Sequence, residues 1–176
     1  MAKLSKKRIG QLIAAGAAAA NTTQQGRAYE DLVCYIFEAV PGISETFRNQ
    51  VNVLQSEEID VVFWNERSPD GFWFLQEIIL VECKDWSTAV GSHHVSWFLN
   101  KLRAKALLFG VLVAANGITG NADDRTAAYA ILNQALLEGR RIVVLTTLDL
   151  LAINSPSALV ALIKKKLCQV TLQGGF

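Results

Sequence analysis

The sequence predicts an α/β domain with a mixed central β-sheet flanked by helices on both faces, and three observations carry that reading. The 176 residues are 51% hydrophobic and 19% charged, enough apolar material for one core. Two strand-like segments in the first half are joined by a tight turn, which gives antiparallel pairing. From residue 92 onward helical and strand patterns alternate, which adds parallel strands and covers the sheet with helices.

Taken in order, the chain opens with Lys3, Lys6, Lys7 and Arg8 followed by an alanine-rich run. The pattern superficially resembles a secretory leader, but the run is only weakly hydrophobic and its alanines read equally well as a helix. No other apolar run approaches the roughly 20 residues a bilayer span requires. "GRAYEDLVCYIFEAV" (26–40) spaces Tyr29, Leu32, Val33, Ile36 and Phe37 as one face of a helix that stops at Pro41-Gly42. "QVNVLQ" (50–55) alternates as a short strand, and "EIDVVFWN" (58–65) is a stronger one, rich in β-branched and aromatic residues.

"ERSPDG" (66–71) is a turn, since proline presets one dihedral and glycine tolerates positive φ. It leads into one long strand, "FWFLQEIILVECK" (72–84), completing a hairpin. "SHHVSWFLNKLRAKALLF" (92–109) reads as a helix with Val95, Phe98, Leu102 and Leu107 or Leu108 inward. "GVLVAAN" (110–116) is a continuous apolar strand of the kind buried on both faces. A helix over 121–139 follows, with Asn121 as N-cap and Gly139 as stop, then a strand in "RRIVVLTT" (140–147) and a closing helix from Ser155-Pro156.

Composition excludes several functions. Seventeen Lys and Arg against sixteen Asp and Glu leave a net charge of +1, so a polyanion partner would need locally concentrated basic residues. Cys34, Cys83 and Cys168 are odd in number and far apart, which fits reduced, buried thiols in a cytoplasmic protein. The two histidines, His93 and His94, are adjacent and point different ways, a poor start for a zinc site or a nucleophilic triad.

One stretch breaks the apolar logic: "IILVECKDW" (78–86) runs from four aliphatic residues into Glu-Cys-Lys. Strand alternation puts Ile78, Leu80, Glu82 and Lys84 on one face and Ile79, Val81 and Cys83 on the other. The hairpin brings Asp60 toward Glu82. Two half-buried carboxylates repel and need compensation. Either Lys84 provides it as a structural ion pair, or a hard divalent cation such as Mg²⁺ does, leaving Lys84 to activate a water for attack on phosphorus. Glu30 or its neighbour Asp31 adds a helix carboxylate.

Glu30, Asp60 and Glu82-Cys83-Lys84, in this order on helix, strand and strand, resemble the PD-(D/E)XK nuclease superfamily, and within it restriction-endonuclease-like proteins of the Mrr type. The resemblance covers about residues 26–152, with 1–25 as an N-terminal helical extension and 153–176 as a C-terminal helix and tail of the same domain. It implies Mg²⁺, with Mn²⁺ as substitute, held by Asp60, Glu82 and the Cys83 carbonyl. Lys84 would position the water and Glu30 would assist at the periphery. Ile59 stands where the superfamily's name places proline.

The activity implied is a DNA endonuclease of the restriction or defence type, with a second copy of the chain in a homodimer and a partner subunit of a defence system as the candidate protein partners. A catalytically silent DNA-binding or assembly subunit, and a nuclease for RNA or branched DNA, are the alternatives. Arg27, Trp86, His93, His94, Asn100, Lys101, Arg103 and Lys105 are the candidate nucleic-acid contacts, set against an ordinary solvated helix face. Lys164, Lys165 and Lys166 form a further basic cluster, solvated or phosphate-facing. Asp123-Asp124 reads as helix-dipole acids.

Overall fold

The computed structural model describes residues 4–51, 58–84, 87–120 and 128–173. Its elements run α1 (Lys6–Ala17), α2 (Thr22–Phe37), β1 (Ile43–Val51), β2 (Glu58–Asn65), β3 (Ile78–Lys84), α3 (Ser92–Ala104), β4 (Phe109–Ala114), α4 (Ala128–Leu137), β5 (Arg141–Leu145), α5 (Thr147–Ala152) and α6 (Pro156–Gln173). The five strands form one sheet in sequence order. β1, β2 and β3 pair antiparallel, whereas β3, β4 and β5 pair parallel through helical crossovers.

The mixed sheet separates two cores. Ile79, Val81 and Cys83 turn toward the helices that precede and follow the sheet, joining residues of α1, α2, α5 and α6. Leu80 turns the other way, toward the crossover helices α3 and α4. β4 is buried along its whole length, as a strand covered on both faces must be. Gly110 makes that cover possible: a Cβ there would lie 2.8 Å from the Phe98 ring and 2.9 Å from Leu102. Among the described residues no helix is long and apolar enough to cross a membrane.

Local chemistry accounts for the element ends. Asn21 caps α2 by accepting from Gln24 N at 2.9 Å, so the helix begins before the periodic apolar run. Gly139, at φ +74°, ends the turn after α4 as its position in the sequence suggests. Thr146 and Asp149 form a reciprocal capping box that starts α5, a short helix between the strand and the closing helix that the sequence pattern does not announce.

Four expectations change. The first strand lies at Ile43–Val51, mostly upstream of the alternating 50–55 segment, of which 52–55 fall outside the described residues. A register shift between Glu45 and Phe47 breaks its period-two pattern, which hides it in the sequence. The long strand over 72–84 is only its second half, because buried Asn65 folds residues 72–76 into a turn. Its amide donates to the Phe72 carbonyl at 2.9 Å and the Gln76 carbonyl at 3.0 Å. Helix α3 ends at Ala104, after which Ala106 at φ +53° turns the chain so that Leu107 is buried and Leu108 exposed. Cys168 is exposed, unlike Cys34 and Cys83. Asn121 and Asp123-Asp124 lie outside the described residues.

Candidate active site

The site forms where two strands stop pairing. The β2–β3 ladder runs from Trp64↔Ile78 to Val61↔Val81, and the next residues along it are Asp60 and Glu82. The ladder does not continue to them. The Cys83 N–H instead donates to Asp60 Oδ2 at 2.7 Å, so a side-chain carboxylate takes the place a strand carbonyl would hold. β3 keeps its other edge on β4 through Lys84↔Ala114, which fixes the Glu-Cys-Lys backbone while β2 diverges.

Glu82 is the hub. It is 4% exposed, and both of its oxygens carry an ammonium. Lys84 Nζ lies 2.8 Å from Oε1 and Lys101 Nζ 2.6 Å from Oε2. Lys101, also 4% exposed, reaches from α3 and donates to the Glu58 main-chain carbonyl at 2.5 Å. An isolated buried carboxylate would cost several kcal/mol, so these two partners are what permit Glu82 at this depth.

Among the described residues Asp60 has no such pair. Burial first, and the nearby Glu82 charge second, push its pKa up to about 6, against the opposing pull of Lys84. Burial alone would lower the Lys84 pKa, but Glu82 and Asp60 together outweigh it and hold the ammonium charged. Burial also raises Glu30, partly offset by the Asn49 amide, which donates to Glu30 Oε2 at 2.9 Å.

Two cavities meet at this point. One of about 340 Å³ is lined by the start of α2, including Arg27 and Glu30, together with Asn49, Glu58, Asp60, Cys83 and Lys84. The other, of about 350 Å³, is lined by Glu58, Asp60, Glu82, Lys84, Lys101, His93, His94 and Trp97. The structure thus brings Glu30, Asp60, Glu82, Lys84, Arg27, His93 and His94 around one cleft. It separates Glu30 from Asp31, whose carboxylate pairs outward with Arg48 at 2.5 Å.

The remaining candidates go elsewhere. Lys101 is not on a solvated face but inside the site. Arg103 pairs with Glu138 on the far side of α3 and bonds Asn100 Oδ1 at 2.7 Å. Lys105 follows the helix as its C-cap residue. Trp86 lies outside the described residues. The adjacent histidines, expected to diverge, line the same cavity with ring centroids 5.2 Å apart, and His93 stacks on Trp97. Burial and the neighbouring His93 and Lys84 charges lower the His94 pKa. In the C-terminal cluster Lys166 is buried against Asp149 at 2.9 Å and Lys164 lies over the Trp73 and Phe74 rings.

Sequence reasoning missed Glu58, Asn49, Trp97 and the true place of Lys101. Lys101 left a signal: it is three residues after Phe98, within the apolar stripe of its helix.

A family model described as restriction endonuclease, the Mrr catalytic domain, matches residues 22–146. The chain belongs to the Mrr-type restriction endonuclease family. The match covers α2 through β5 and so contains the whole cleft. The restriction-endonuclease-like fold and a nuclease of that type follow. A comparison with curated proteins gave no match.

Nucleases of this type generally use divalent metal ions. Among the described residues no three His, Cys, Asp or Glu side chains form a ready-made metal cluster. A hard cation that keeps several waters needs only one or two carboxylates. Asp60, disfavoured as an anion by burial and by the Glu82 charge and lacking a lysine partner at ion-pair distance among the described contacts, is one such donor beside Glu82. The residues fit an oxygen-seeking divalent ion.

Proposed function

We propose that this restriction-endonuclease-type protein hydrolyses phosphodiester bonds of DNA with a divalent cation, Mg²⁺ or Mn²⁺, at Asp60 and Glu82. The observation that supports this most is the unpaired end of the β2–β3 ladder, where Asp60, Glu82 and Lys84 converge on the floor of the cleft. Asp60, Glu82 and the Cys83 carbonyl would hold the ion, with Glu30 at the periphery. When bound, the ion would stabilise developing negative charge and make a bound water more acidic.

The chain's own residues do the rest. Glu82 holds the Lys84 ammonium at 2.8 Å, so its position is set before substrate arrives. Lys84 orients the attacking water through the donors left to it, and its positive charge favours the charged transition state. The Cys83 N–H fixes the Asp60 carboxylate. Arg27 on one wall and His93, His94 and Trp97 on the other meet the nucleic acid, the cation contacting phosphate and the rings offering stacking surface.

Cleavage of supercoiled plasmid by the purified chain, with Mg²⁺, with Mn²⁺ and with EDTA, tests this reading. Nicking or linearisation in the two metals and none in EDTA supports it. A specific observation also supports a second reading: both Glu82 oxygens are already neutralised by lysines, as in a nuclease fold kept as a DNA-binding subunit. DNA retention unaffected by EDTA, without cutting in any metal, would select that one.

A further inference from the structure

Lys101 does more at this site than a structural counter-ion must. Its ammonium sits between a carboxylate oxygen and a main-chain carbonyl, Glu82 Oε2 and Glu58 O, both hard oxygen donors. It is buried, unlike the partly exposed Lys84, and it comes from another element, so α3, β2 and β3 are tied at one atom. Lys84 and Lys101 together also balance the formal charges of Asp60 and Glu82.

We propose that Lys101 is a positioning residue that acts as a built-in counter-cation, holding Glu82 in place and competing with the divalent ion for it. This rests on the reading that a cation binds at Asp60 and Glu82. A divalent ion approaching Glu82 meets a carboxylate with both oxygens engaged, Oε1 by the partly exposed Lys84 and Oε2 by the buried Lys101, and two positive charges that repel it. Binding therefore requires a lysine to share its oxygen, and Lys101, held at Oε2 and at the Glu58 carbonyl, is the one that cannot swing into solvent to do so. Removing the Lys101 charge leaves two carboxylates facing Lys84 alone, a site with greater demand for a cation.

The test is Mn²⁺ titration by calorimetry at fixed pH and ionic strength, on the full chain and on Lys101→Met, Lys101→Gln and Arg103→Met. Methionine keeps the buried stem and drops the charge, and glutamine can still donate to the same oxygens. Both variants should bind Mn²⁺ about tenfold more tightly or better, given the strength of charge interactions at a partly dry site. The Mn²⁺-induced rise in melting temperature should grow in parallel. Arg103→Met should match the parent.

A purely structural Lys101 predicts the opposite, lower stability with equal or weaker Mn²⁺ binding, and that result in folded variants overturns the proposal. Should Lys101→Met not fold alone, Lys101→Gln carries the same prediction. If neither parent nor folded variants bind Mn²⁺, the cation reading falls and this proposal with it. If the parent binds and the variants gain nothing, only this proposal falls.

Discussion

Helix α3 carries two basic residues two positions apart, and they meet very different surroundings. Lys101 is buried and holds Glu82 at the floor of the cleft. Arg103 lies toward α4, where it clasps Glu138 near solvent, and Glu138 also receives Arg140 at 3.4 Å. Both pairs are short and both join distant segments. Around Glu82 the charges stand out of water, so removing one partner exposes the other to the full cost of burial. Around Glu138 water replaces any lost partner, so the pair contributes little. Depth, not distance, decides which ion pair the protein depends on.

The largest effects should fall on the buried side. Asp60→Ala should reduce metal-dependent plasmid cleavage by about a thousandfold or more, the scale of losing a central electrostatic group, with the fold retained by circular dichroism. Cleavage near the parental rate would break the comparison at once. Glu82→Ala should destabilise the protein by about 3–5 kcal/mol in urea unfolding, because two ammoniums lose their shared partner. A loss as small as that of an exposed pair would show that water reaches the hub.

A smaller, pH-dependent effect should appear at Asp60. Its folded pKa of about 6 lies above its ordinary value, so ionising it opposes folding. That penalty is absent below about pH 4, grows as pH rises toward 6, and is fully present above it. Asp60→Asn keeps an acceptor for Cys83 N–H and removes the charge. In metal-free buffer its stability relative to the parent should therefore rise between pH 4 and pH 6, by about 2 kcal/mol. A flat difference across that range would place Asp60 in contact with bulk water. The smallest effect belongs to Arg103→Ala, whose melting temperature should stay within replicate scatter and fall no further when salt is raised.

Much of the frame was legible because its signals are local. Strand β2 has the bounds its β-branched run suggested, and alternation along β3 put Glu82 and Lys84 together on the α3 side. The hairpin logic carried Asp60 to Glu82, although the carboxylate closes on Cys83 N–H in place of a continued ladder. What was missed depends on distant partners. Strand β1 is held by its neighbour through a bulge, not by its own alternation. The turn after β2 is shaped by the amide of Asn65 reaching carbonyls seven and eleven residues on. Lys101 bonds Glu82 nineteen residues away, and among basic neighbours on one helix only its place on the apolar stripe marked it out.

The most direct measurement compares Lys84→Ala with Arg103→Ala in cleavage of supercoiled plasmid under Mg²⁺, with DNA affinity and melting temperature measured on the same preparations. Lys101 still neutralises Glu82 when Lys84 is removed, so the fold and the site should survive the change. The account predicts that Lys84→Ala binds DNA like the parent but loses cleavage about a thousandfold, while Arg103→Ala cuts at the parental rate. Parental cleavage by Lys84→Ala would contradict it, and would leave Lys84 as no more than a second counter-ion for Glu82.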